Sequence, residues 1–151
     1  MAVTMSQAEI DEMLLNSPNI ILCINRKNLP PLPVPMWFGW KDNIVYMHTL
    51  AASKKVQHLK ANPQVSLLVE SGADYFALKS VLIMGKAEVS EDQDVVKQYQ
   101  AIIDEVKPQY KNQWRPKKYP PQLEKFYQRP RAAIRITPTS ITTWDFAKIP
   151  R

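Results

Sequence analysis

Only three glycines occur in this chain of 151 residues, and Gly39, Gly72 and Gly85 stand far apart. No G-x-G-x-x-G turn and no Walker-type phosphate loop can be built from them, which excludes the Rossmann and P-loop solutions to nucleotide binding. Any phosphate held here must be held by side chains and a helix end. Proline is in excess instead, with 13 residues. Pro30, Pro31, Pro33 and Pro35 crowd one stretch, which is too poor in N–H donors for a central strand. It reads as an extended connection leading into an edge or groove strand.

The length is that of one domain spanning 1–151. Ser6-Gln7-Ala8-Glu9 is a capping box that opens a helix, and Asn16-Ser17-Pro18 stops it. Residues 20–25 read as a buried strand with Cys23 as a small core residue. Val34–Trp40 and Ile44–Thr49 read as a hairpin around Lys41-Asp42-Asn43, and 53–61 as a helix. A second hairpin is expected from Val65–Glu70 and Tyr75–Val89. Ser90-Glu91-Asp92-Gln93 then caps an amphipathic helix carrying Val95, Tyr99, Ile102, Ile103 and Val106. Two last strands, Ala132–Thr137 and Ser140–Asp145, follow a connection with a short helix at 122–128. Short strands joined by hairpin-length turns favour a small antiparallel barrel, mainly β with peripheral helices.

The net charge of +6 is concentrated: residues 107–131 hold eight basic side chains and one acid, Glu124. Tyr110, Trp114, Tyr119, Phe126 and Tyr127 are interleaved with them. Such a mixture suits a single-strand nucleic-acid platform. Four prolines within 107–121 and irregular aromatic spacing rank that reading behind a basic surface connection that walls a cofactor site or forms a dimer flap. One cysteine and two histidines cannot assemble a zinc site, so no metal is expected. No secretory signal and no apolar run of spanning length is seen, which points to a cytoplasmic protein without a membrane partner. G-x-S-x-G is absent, and no nucleophile or acid–base pair stands out.

One helix begins with the wrong charges. Ser53 is positioned as an N-cap, and Lys54 and Lys55 occupy the first turn, where the helix dipole disfavours cations. Two lysines and a hydroxyl beside free amides form a site for a phosphate. The alternative is that both lysines point into water, where the penalty is screened.

Ile44-Val45-Tyr46-Met47-His48-Thr49, Ser53-Lys54-Lys55, Leu59 and Asn62-Pro63-Gln64-Val65-Ser66-Leu67 together resemble the pyridoxamine 5′-phosphate oxidase-like flavin-binding split-barrel family. Val81–Glu88, Ile136-Thr137-Pro138 and Thr143–Lys148 extend the resemblance over roughly residues 6–148. It implies a six-stranded antiparallel split barrel of Greek-key type, a homodimer, and flavin mononucleotide (FMN) in the groove between subunits. On this resemblance Ser53, Lys54 and Lys55 grip the phosphate. His48 and Thr49 end a strand lining the flavin, and Pro35, Met36, Trp37 and Phe38 run beside the ring. Ser80 falls where the oxidase has a glutamine, and Trp144 near a C-terminal aromatic close to the cofactor.

The C-terminal Arg and His residues that grip substrate in the true oxidase are not recognisable, so the likeness is to small single-domain members rather than to the oxidase itself. The implied activity is hydride transfer to or from an unidentified small molecule, with no catalytic side chain assigned. A 5-deazaflavin coenzyme would use the same phosphate grip. A non-catalytic flavin or phosphate-ligand binding protein is the reading from another class.

Overall fold

The computed structural model describes residues 3–151. Seven strands form one antiparallel sheet: β1 (Ile20–Arg26), β2 (Leu29–Met36), β3 (Gly39–Lys41), β4 (Ile44–Leu50), β5 (Gln64–Ser71), β6 (Lys79–Ser90) and β7 (Arg131–Asp145). Their order is β2-β1-β5-β6-β7-β4-β3. Four helices accompany them: α1 (Gln7–Asn16), α2 (Lys54–Ala61), α3 (Gln93–Val106) and α4 (Pro121–Tyr127).

The mainly β, antiparallel architecture with peripheral helices agrees with the sequence reading; the strand count is seven, not six. The proline-rich stretch expected to be a connection is itself β2. Its register explains how: Val34 and Leu32 oppose Leu22 and Ile24, while Pro33 and Pro35 take the alternate positions. Backbone donors alternate from side to side along a strand, so Pro31, Pro33 and Pro35 all lack the N–H that would point away from β1. The outer side of β2 is therefore closed to further pairing.

β2 and β3 are the two edges of the sheet, yet only Trp37 and Phe38 separate them in sequence. Three Cα–Cα steps span at most about 11 Å. The sheet must curl until its edges meet, and the proline-stripped edge prevents a ladder there. The result is a barrel split along one seam. The expected hairpin from Val34 is accordingly broken at Met36, and Trp37 and Trp40 do not share a strand. Phe38 is fully buried at the seam, and its backbone N–H donates to the Tyr110 hydroxyl at 3.1 Å.

Inward residues alternate along each strand: Ile20, Leu22 and Ile24 of β1, Val45 and Met47 of β4, Leu67 of β5, Ile83 of β6, Ile134 and Ile136 of β7. Leu14 from α1 and Leu59 from α2 close the barrel ends. Cys23 falls on the outward face of β1 and is half-buried rather than core, because its neighbours Leu22 and Ile24 take the inward positions. The two strands expected at the C-terminus are one strand of 15 residues. Pro138 is accommodated by a bulge, with Gly85 opposite Pro138 and Met84 opposite Ser140, leaving Thr139 as the extra residue. A Cβ on Gly85 would stand 2.7 Å from the Thr137 carbonyl oxygen, so glycine is required by close approach. Asp92 rather than Ser90 caps α3, through its carboxylate and the Asp94 N–H at 2.9 Å.

The basic segment is less superficial than its composition suggests. Lys107 and Tyr110 are 0% exposed. Lys107 Nζ stands 3.2 Å from the Phe38 ring centroid and donates to the Ser17 carbonyl at 2.5 Å. The Tyr110 hydroxyl donates to the Pro18 carbonyl at 2.5 Å. These anchors pin the start of the segment at the seam. Beyond them the chain forms a π-turn over Tyr110–Trp114 and then the exposed α4.

Two outcomes follow from this packing. Gly85→Ala is expected to lower unfolding free energy by about 1–3 kcal/mol in urea denaturation; a neutral substitution would show that β7 yields freely at the bulge. Burial pulls the Lys107 pKa down to about 6. An unfolded lysine holds its proton to about pH 10.4, so folding releases a proton across that window and stability rises with pH from about 6 upward. Lys107→Met should flatten this slope, measured as urea midpoints between about pH 6 and pH 9. A slope unaltered by the substitution would contradict the burial argument.

Candidate functional site

A cavity of about 730 Å³ opens beside the split seam. Pro35 and Met36 from β2 and Trp37 from the link form one side, with His48 and Thr49 from the end of β4. Lys55 enters from the first turn of α2, Gln100 and Ile103 from α3, and Arg131 from the start of β7. The basic segment covers the other side with Trp114, Arg115, Tyr119, Leu123 and Tyr127. The Trp37 ring stacks on Tyr110, with centroids 4.4 Å apart and planes inclined by 17°.

Among the described residues no carboxylate lines this cavity, whereas Lys55, Arg115 and Arg131 all do. The only hydrogen-bond acceptor for Lys55 Nζ among the described residues is the Met36 sulfur at 3.8 Å, a weak partner for an ammonium. Burial, and Arg131 nearby, hold the Lys55 pKa below its usual value. Ser53 precedes α2 in an extended conformation but makes no side-chain cap, and its Oγ is buried without a partner. The first turn of α2 carries no acid, whereas α1 has Glu9 and α3 has Asp94 there. An unpaired hydroxyl, a half-buried ammonium without a counter-ion and an uncompensated helix start are the complement of an oxyanion.

His48 ties the walls together. Arg131 Nε can only donate, so its 2.7 Å bond to His48 Nδ1 makes that nitrogen the acceptor and leaves the proton on Nε2. Nε2 meets Gln100 Oε1, and Gln100 Nε2 donates to Asp104 Oδ1 at 2.8 Å. Arg115 stands 4.0 Å from the same carboxylate oxygen. The chain therefore runs from β7 through β4 to α3. Burial first, and Arg131 second, lower the His48 pKa to about 4, which keeps the imidazole neutral. Both ring nitrogens are engaged within the protein, so His48 holds Arg131 in place instead of reaching into the cavity with a free nitrogen.

Of the residues singled out in the sequence, the structure brings Pro35, Met36, Trp37, His48, Thr49 and Lys55 together. Ser53 and Lys54 do not line the cavity: the Ser53 hydroxyl is buried just behind the start of α2, and Lys54 is exposed because adjacent helical residues point about 100° apart. Phe38 is buried in the barrel. Ser80 and Trp144 face one another across the β6–β7 ladder. Trp144 lies thirteen residues along β7 from Arg131, about 40 Å of extended chain, well away from the cavity of its own protomer. Arg131, Arg115 and Gln100 were missed. Gln100 had a signal, since it shares a face of α3 with Ile103 three residues on; Arg131 was counted only as one charge in a basic block.

The His48 arrangement has a direct spectroscopic consequence. Imidazole NMR titration is expected to give a midpoint near pH 4 for His48 with the proton on Nε2. Arg131→Gln should raise that midpoint by removing a neighbouring cation. A midpoint near the ordinary histidine value of about 6.5 in the unaltered protein would contradict the network.

Comparisons with known proteins place this geometry in a family. The profile of the family described as pyridoxamine 5′-phosphate oxidase matches residues 6–145. Among solved structures, a conserved hypothetical protein of Mycobacterium tuberculosis is 24% identical with a TM-score of 0.77, covering 100% of this chain and 93% of its own. An FAD-binding protein of Mesorhizobium loti is 24% identical with a TM-score of 0.66, covering 93% and 94%. An F420 reductase is 19% identical with a TM-score of 0.64, covering 87% and 94%. No curated protein sequence matches the chain significantly. At these identities the structures speak for the fold, while the profile spans nearly the whole sequence: the chain belongs to the pyridoxamine 5′-phosphate oxidase family.

Proposed function

We propose that this protein is an oxidoreductase that binds FMN, as a single domain acting in a homodimer, and transfers hydride to or from a small molecule. The observation that carries the reading is at the start of α2: Lys55 Nζ lines the cavity with only a sulfur for company among the described residues, in front of a buried Ser53 Oγ that has no partner there. Both suit a phosphate. The flavin, when bound, supplies the hydride chemistry, and the protein supplies position, charge and exclusion of water.

In this reading Lys55 and Arg131 neutralise the phosphate. Arg131, rather than the sequence neighbour Lys54, is the second cation, since Lys54 faces solvent and Arg131 lines the cavity. Ser53 donates its hydroxyl. Pro35, Met36 and Trp37 at the seam flank the ring, as do His48 and Thr49 on β4. Ser80 and Trp144 lie too far along the barrel to join this cavity within one protomer. Their assignment to the cofactor therefore requires the partner copy in the groove, which is one reason for the homodimer. A nucleic-acid role for 107–131 is disfavoured, because Trp114, Tyr119 and Tyr127 converge on one cavity and are not spaced along a continuous strand-binding track.

A 5-deazaflavin coenzyme is the second reading, supported by the likeness to an F420 reductase. The absorption spectrum and mass of the co-purifying small molecule distinguish the two rings. FMN titrated into apoprotein should bind saturably, and Lys55→Ala should weaken it by about tenfold or more, as expected for loss of a charge-assisted contact. Equal affinity in the variant would remove the phosphate site from α2.

A further inference from the structure

Charge matching leaves one cation of the cavity over. A phosphate monoester carries about −1.5 to −2 at neutral pH and is matched by Lys55 and Arg131 together. Arg115 remains. Its guanidinium donates no hydrogen bond among the described residues, and its single ion pair, to Asp104 at 4.0 Å, is longer than a hydrogen bond. The Asp104 oxygen it approaches already accepts from Gln100. The side chain is only 30% exposed and lines the cavity.

A half-buried arginine with an unclaimed planar fork is built for a carboxylate. Its base is rigid. The Arg115 N–H donates to the Tyr110 carbonyl at 2.7 Å, closing the π-turn, and Pro116 fixes the next residue. Aromatic rings line the same cavity as the fork. Trp37 has one face stacked on Tyr110 and still lines the cavity, while Trp114 and Tyr119 line it from the covering segment.

The geometry points to a second subsite, in which Arg115 takes the carboxylate of a planar aromatic substrate packed against Trp114 and Tyr119 of the covering segment. The assignment rests on the flavin reading, since it takes the part of the cavity that the phosphate grip does not use. The substrate class is thus an aromatic carboxylate, held by the covering segment while the cofactor is held by the barrel.

Benzoate and its neutral isostere benzamide are the probes, titrated by calorimetry into the full chain alongside FMN. Benzoate is expected to bind about tenfold or more tightly than benzamide. Arg115→Gln should abolish that preference and leave FMN affinity within about twofold. Lys55→Gln should do the reverse. Arg115→Lys, which keeps the charge without the fork, should retain part of the preference. Among the described residues Arg115 makes no side-chain hydrogen bond and one ion pair at 4.0 Å, partly exposed, so these substitutions do not put folding at stake. Benzoate binding no tighter than benzamide, or unaltered in Arg115→Gln, overturns the subsite. So does a benzoate affinity that falls with Lys55→Gln instead, which would mean a single anion site. Failure of FMN to bind the unaltered protein sinks the flavin reading, while the benzoate arms still decide the subsite.

Discussion

Three prolines at alternate positions of one strand govern this structure. Pro31, Pro33 and Pro35 remove three successive donors from the outer side of β2 while leaving Leu32 and Val34 free to pair with β1. The two-residue link through Trp37 and Phe38 then draws the opposite edge of the sheet alongside. Strands brought together without donors cannot zip into a closed cylinder. The barrel stays open along one line, and the cavity lies on that line. Phe38 and Tyr110 fill the seam from inside, and Trp37 faces the cavity from the same place.

The second organising element is positive charge kept from water. Lys55, Arg115 and Arg131 stand in one cavity without a lining acid among the described residues, and burial costs Lys55 and Arg131 solvation. The protein tolerates this through the His48–Gln100–Asp104 chain, which fixes Arg131 from behind with a neutral imidazole and holds one carboxylate near Arg115. A protonated imidazole would add a fourth cation. Its low pKa is therefore part of the same design, because a neutral acceptor can hold a guanidinium that a cation would repel.

The sequence revealed what depends on local chemistry. The capping box at Ser6, the helix following Ser53, the amphipathic α3 and the apolar run of β1 are all short-range patterns, and each element falls where its residues put it. Proline count alone makes β2 look like a connection; the alternation of Pro31, Pro33 and Pro35 is what allows it to pair on one side. The fusion of the last two strands across Pro138 depends on Gly85, fifty residues earlier, and a bulge across two strands leaves no mark in either alone. At the site, the seam residues, His48, Thr49 and Lys55 were legible through order along the chain. Arg131 and Arg115 were not, because their partners in the cavity come from β4, α2 and α3, and only folding sets them against one another.

The central claim is that the cavity at the proline-stripped seam receives a phosphate between α2 and β7. A crystal structure of the protein with FMN tests it most directly. The account predicts the phosphate within hydrogen-bond distance of Lys55 Nζ, Ser53 Oγ and the Arg131 guanidinium, with the ring running along Met36 and Trp37. A phosphate seated instead on the exposed lysines of the covering segment, Lys117 and Lys118, or a ring lying outside the seam, would contradict it.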